Sequence, residues 1–279
     1  MNDTPTLIHS FWSRPLELGL FGVDGLNHLA ADVWMFALSA GYAERCGFRI
    51  ELHTDSFGAR LLEHLPYQDI HLTLDDIPDY ISPRFWAAGK IEALAAAGPG
   101  AVHIDGDVMI KSPQLLYDVR RFDVFCQESE PDPAWMFSKG YGPRRWHRFV
   151  ASRGLHPGLG YTFNTGVVCI NSERLLDKYV GYYRTFTSKA SELFGPELRR
   201  NAYFVPDLFA EQYALASLCK LEGASAGFIL DRSAGVPKGY QHLITAEKYS
   251  PACRAKVRQS LRMIFPELYY KTEKIWKNI

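Results

Sequence analysis

The chain has 279 residues, of which 47% are hydrophobic and 22% charged. This is a globular composition with ample core material and no segment biased toward disorder. Its 31 Lys+Arg balance its 31 Asp+Glu, which removes the electrostatic case for a nucleic-acid partner. The five cysteines form no CxxC pair. That argues against a zinc ribbon or a dense disulfide framework and reads as buried thiols in a reducing compartment. No basic segment leads into an apolar run at the N-terminus, and nowhere do about 18 apolar residues run together. The expectation is a cytoplasmic protein without a membrane span.

Residues Thr6 to Trp12 read as a first strand, and Asn27 to Cys46 as a helix, with Leu29, Val33, Phe36, Leu38 and Tyr42 at roughly helical spacing. Phe48 to Asp55 alternates as a second strand. Gly58 to Leu65 is a short helix closed by Pro66, and Asp69 to Leu74 a third strand. Phe85 to Ala97 is a helix stopped by Gly98-Pro99-Gly100. Ala101 to Ile104 is then a short apolar strand running into Asp105-Gly106-Asp107. This alternation predicts an α/β fold with a doubly wound, mostly parallel sheet, whose ligands bind beyond the carboxyl ends of the strands.

The second half is less regular. Asp123 to Gln127 reads as a strand, Glu128 to Pro143 as a loop, and Arg144 to Gly154 as a basic helix. Val167 to Ile170 is a buried strand, Glu173 to Thr187 and Asp207 to Leu221 are helices, and Phe228 to Leu230 is a late strand. Ser250 to Ile279 is a helical tail. With no linker or repeat, the chain reads as one domain, with a first half over about 6–110, a second over about 111–250, and the tail at 251–279.

Residues i and i+2 on an extended chain point to one side, so Asp105 and Asp107 can converge on one cation, with Gly106 letting the backbone turn. Oxygen ligands suit Mn²⁺ or Mg²⁺, which keep positions open for substrate phosphates. An Asp-Gly hairpin turn is the plain alternative. Lys90 lies in an otherwise apolar stretch, and it and Arg84 are cations placed to meet donor phosphates or the sugar; a solvated helix face is the alternative for Lys90. Asn164 offers a donor and an acceptor for sugar hydroxyls beside Gly166, just ahead of a buried strand. Asp207 and Glu211 are four apart and share a helix face. Arg144, Arg145, His147 and Arg148 around Trp146 read as a solvated basic face, or as a site for an anionic acceptor.

The segment from Ala101 to Ile110 resembles the DxD segment of glycosyltransferases of the GT-A fold. Phe85 to Lys90, Tyr161 to Gly166, and His242 with Lys248 fit that superfamily in order. The order is most similar to retaining enzymes of the glycogenin and lipopolysaccharide galactosyltransferase kind. The resemblance spans about residues 6 to 250, specific at the DxD segment and loose elsewhere. It implies that Asp105 touches the donor ribose and the metal, and that Asp107 and His242 complete the metal ligands. It implies Lys248 on the diphosphate, although the Gly usual between that His and Lys is missing. Ser10-Phe11-Trp12 and Asp55, at strand ends, would meet the nucleobase or ribose, with Gly106 beside the donor. Glu211-Gln212, with Asp207 and Asn164, would line the acceptor and the anomeric carbon. The implied ion is Mn²⁺ (or Mg²⁺) and the implied donor a UDP-sugar, with an unknown acceptor. A sugar-nucleotide nucleotidyltransferase and a catalytically inactive nucleotide- or carbohydrate-binding protein remain the alternatives.

Overall fold

The computed structural model describes residues 4–18, 25–131, 145–156, 158–200, 206–231, 233, 235–243 and 246–277. Nine strands are named among them: β1 (Leu7–Phe11), β2 (Ile50–Thr54), β3 (Asp69–His71), β4 (Val102–Ile104), β5 (Val108–Ile110), β6 (Val124–Pro131), β7 (Tyr161–Ile170), β8 (Ala226–Phe228) and β9 (Tyr240–His242). The helices are α1 (Gly25–Arg45), α2 (Ser56–Leu62), α3 (Ala88–Ala97), α4 (Trp146–Ala151), α5 (Glu173–Arg200), α6 (Ala214–Glu222), α7 (Pro251–Ile264) and α8 (Pro266–Trp276).

Seven strands form one sheet in the order β3-β2-β1-β4-β7-β6-β8, and β5 with β9 forms a separate ladder. Only β7 runs against its neighbours; the other pairings in the large sheet are parallel. The expected α/β class with a mostly parallel sheet is therefore what the chain adopts. Leu7 and Ile8 show how the sheet is covered on both faces. They are consecutive, so they face opposite ways. Leu7 packs with Ala40 and Ala43 of α1, and Ile8 with Ile91 and Leu94 of α3.

The first half follows the sequence pattern closely, with α3 starting at Ala88 rather than Phe85 and β3 ending at His71. The second half corrects it. β7 begins at Tyr161, not Val167, so Asn164 and Gly166 lie inside a strand and not in a turn ahead of it. Thr162 and Thr165 are buried there beside Phe163, and polar residues on a fully buried strand hide its pattern. β6 continues to Pro131, taking the first residues of the expected loop; residues 132–144, Arg144 among them, lie outside the described set. α5 runs on to Arg200 through Pro196, and the late strand is 226–228.

Trp146 is not part of a solvated face. It is fully buried against Phe149, Phe186, Phe194 and Phe209, while Arg145 and Arg148 stay exposed. The tail is two helices. Ser250 caps α7 by accepting the Cys253 amide, Pro251 starts it, and Pro266 starts α8. Both pack on α1, where Arg45 donates to the Ile264 carbonyl at 2.9 Å and Tyr42 meets Phe265 edge-on. The five cysteines are free, and no helix among the described residues is long and apolar enough to cross a membrane.

Candidate functional site

Three chain segments meet at the carboxyl end of β4. The antiparallel β4–β7 ladder sets Ile104 opposite Val167, and the Asp105 amide donates to the Gly166 carbonyl at 2.8 Å. The chain then turns, with the Val108 amide on the Asp105 carbonyl at 2.9 Å, and enters β5. The β5–β9 ladder pairs Val108 with His242, and the Leu243 amide donates to the Asp107 carbonyl at 3.1 Å. That small ladder is what delivers His242, far away in sequence, to the acidic pair. Ligand atoms of Asp105, Asp107 and His242 all lie within 4.8 Å of one another.

They floor a cavity of about 330 Å³. Of the residues singled out in the sequence, Ser10, Phe11, Trp12, Lys90, Asp105, Gly106, Asp107, Asn164, Glu211, Gln212, His242 and Lys248 line it. Three do not, and each makes side-chain hydrogen bonds elsewhere. Asp55 caps α2 through the Gly58 amide and holds Ser13 by its amide and hydroxyl. Arg84 is buried and donates to the Leu198 carbonyl at 2.9 Å. Asp207 is buried, accepting from the Ala87 amide at 2.6 Å and the Tyr183 hydroxyl at 2.7 Å. All three therefore lie off the cavity lining, in hydrogen bonds that suit structural roles.

Lys90 is buried on α3 and joins the two sides of the cavity. Its ammonium lies 2.8 Å from Asp105 Oδ1, 2.7 Å from Glu211 Oε1 and 2.9 Å from the Thr165 carbonyl. The Thr165 hydroxyl donates to the same Glu211 oxygen at 2.6 Å. Burial alone would lower the Lys90 pKa, but Asp105 and Glu211 outweigh it and hold the ammonium above its ordinary range. Glu211 and Gln212 sit in one π-helical turn, Phe209–Tyr213, ahead of α6; such turns inside helices are frequent at functional sites.

On the other side, Lys248 contacts Asp107 Oδ2 and His242 Nε2 lies 3.3 Å from Asp107 Oδ1. Burial would raise the Asp107 carboxyl, yet Lys248 and His242 hold it below the usual carboxylate range. Asp105 is pushed up by burial, pulled back by Lys90, and pushed up again by Asp107 and Glu211, with a net rise. A cation between two neighbouring carboxylates would relieve their repulsion and favour the ionised form of both.

The His242 tautomer is fixed. Its Nδ1 is 2.7 Å from Gln127 Oε1, which also accepts the Tyr240 hydroxyl at 2.7 Å, while Gln127 Nε2 donates to Glu128. Nδ1 therefore carries the proton, and in the neutral ring Nε2 turns a lone pair toward Asp107. A lone pair facing a carboxylate oxygen needs a proton or a metal ion between them, and this donor set of carboxylates and one imidazole fits Mn²⁺ better than Mg²⁺. Gly166 makes room for the arrangement: a Cβ there would come within 2.5 Å of Gln127 Oε1 and 2.6 Å of His242 Cε1. Gly106 likewise faces Phe36, whose ring a Cβ would meet at 2.3 Å.

Sequence reasoning missed Gln127, Asp32, Phe36, Trp86 and Tyr249. Gln127 had a signal, a lone amide closing an apolar strand. Asp32 is an acid on an apolar helix, four residues before Phe36, and both line the cavity.

A family model described as "Family of unknown function (DUF6734)" matches residues 6–275. No curated protein matches. Among solved structures, the chain is similar to one titled as the crystal structure of the galactosyltransferase LgtC in complex with donor and acceptor sugar analogs. Identity is 13%, 95% of each chain is covered, and the TM-score is 0.43. A likeness at that level carries no argument about activity.

Proposed function

The chain belongs to the family of unknown function DUF6734, and we propose that it is a metal-dependent glycosyltransferase using a nucleoside-diphosphate sugar. The donor in this reading is a UDP-hexose, the ion Mn²⁺ (or Mg²⁺), and the acceptor a molecule whose class the cavity does not specify. One observation carries the reading: Asp105, Asp107 and His242 converge within 4.8 Å at the floor of a cavity that two lysines also enter.

Asp105, Asp107 and His242 would hold the ion, which when bound would neutralise charge on the departing nucleoside diphosphate. Lys248, already against Asp107, would bind a phosphate oxygen as a point charge. Trp12 and Phe11 offer aromatic surface at the cavity wall for a base, and Asp32 a hydrogen-bond acceptor. Glu211, held by Lys90 and Thr165, would stabilise positive charge at the anomeric carbon, with Gln212 and Asn164 on sugar hydroxyls. The order of the matching stretches, most similar to that of retaining enzymes, favours retention. If the anomeric centre were inverted instead, Glu211 would be the candidate general base.

The test is a screen of UDP-sugars for nucleotide release with and without Mn²⁺. Release of UDP from one donor, dependent on Mn²⁺ and lost in Asp107→Ala, supports a transferase with water as the default acceptor. Tight donor binding with no release under any metal supports a binding protein and sinks the enzyme reading.

A further inference from the structure

We propose that Glu51, His53 and His71 form a second divalent-metal site, suited to zinc, at the β2–β3 edge of the sheet. It shares no residue with the Asp105–Asp107–His242 group. Glu51 and His53 are two apart on β2, so they point to one face, and the parallel β2–β3 ladder sets His71 directly beside His53. The two imidazoles stack with centroids 4.7 Å apart at 26°. One ligand atom from each of the three residues lies within 4.8 Å of the others.

The polar contacts around the cluster orient the ligands, and an ion would take the place of the hydrogen bond between His71 Nε2 and Glu51 Oε2. Arg49 takes Glu51 Oε1 at 2.8 Å, which leaves Oε2 facing His71 Nε2 at 3.2 Å. Thr73 Oγ1 lies 3.1 Å from His53 Nδ1 and steers that ring. His53 is only 3% exposed, and its Nε2 is buried with no hydrogen-bond partner among the described residues. Leaving such a nitrogen unsatisfied is unfavourable, and a metal bond would satisfy it. The His71 side chain is 41% exposed, giving an ion an entry path and space for a water as fourth ligand.

Two imidazole nitrogens and one carboxylate oxygen are a zinc donor set that keeps a position open. Mg²⁺ and Ca²⁺ prefer all-oxygen shells. The ion would tie β3, a three-residue edge strand, to β2.

The experiment is Zn²⁺ titration against a chromophoric chelator in the Asp107→Ala/His242→Ala background, where the first site cannot contribute. The expected result is one Zn²⁺ per chain, weakened at least about 100-fold by adding His71→Ala or Glu51→Gln, since losing a direct ligand should exceed the effect of losing an outer-shell partner. Zn²⁺ should also raise the thermal midpoint of the background protein and not that of the His71→Ala form. If the background protein does not fold, the wild type is used: His71→Ala should then lower the zinc stoichiometry by one. Absence of Zn²⁺ binding at micromolar concentration, or binding unchanged by both substitutions, overturns the proposal.

Discussion

His242 and Asp107 face each other across 3.3 Å, with the imidazole proton committed to Gln127 on the far side of the ring. The pairing depends on the β5–β9 ladder for position and on Gln127 for orientation. Gln127→Leu should therefore leave the fold intact and weaken Mn²⁺ binding by about 10–100-fold, the usual effect of losing an outer partner of a metal-bound histidine. Mn²⁺ titration followed by electron paramagnetic resonance checks this. Wild-type affinity in the variant would show that Gln127 does not set the tautomer.

Lys90 is the only cation that contacts both Asp105 and Glu211 among the described residues. Removing one partner of a buried ionic cluster leaves the others uncompensated, at about 3–5 kcal/mol. Lys90→Met should lower unfolding free energy by that order and abolish transfer. Denaturant unfolding reads the first effect. Unchanged stability would mean that the carboxylates relax into solvent.

Burial holds four histidines down: His9 to about 3, His53 and His64 to about 4, and His103 well below its ordinary value. Each folds as the neutral ring. Their contribution to stability is complete above the unfolded value of about 6.5 and is lost as pH falls from there through the folded values. Between pH 6.5 and 5.5 the loss should be about 1 kcal/mol per histidine. Urea midpoints measured in chelator at pH 7 and 5.5 check it. A flat profile would show that these rings gain protons in the folded state.

Trp146 anchors an aromatic cluster with Phe149, Phe186, Phe194 and Phe209. Trp146→Ala should cost about 3–5 kcal/mol, as expected for truncating a buried aromatic. It lies outside the cavity lining, so nucleotide affinity of the folded fraction should stay within about twofold. Thermal unfolding and calorimetry together separate the two effects.

The first half of the chain was legible because local pattern and tertiary role agree there. β1 and β4 are short, mostly apolar strands, β2 alternates with period two, Gly or Pro closes each helix between the early strands, and the apolar run before Asp105 marks a strand end. Lys90 stood out as a charge in an apolar helix and proved to be the hub of the cavity. The second half hid its structure for physical reasons. β7 carries Thr162, Asn164 and Thr165 on a buried strand, so neither alternation nor an apolar run announces it. β5 and β9 are three residues each and exist only as each other's partner, which no local window can reveal. Asp55 and Asp207 looked like ligand groups because an acid at a strand or helix end suits a cap as well as a site. Trp146 was misread because the arginines around it dominate the local composition.

On the proposed reading, Asp105, Asp107 and His242 hold a metal that binds a nucleoside diphosphate. Calorimetry of UDP binding with and without Mn²⁺, on wild type and Asp107→Ala, tests it most directly. The expected result is binding that requires Mn²⁺ and is lost in the variant. UDP binding that is equally tight without metal, or that survives Asp107→Ala, would contradict it.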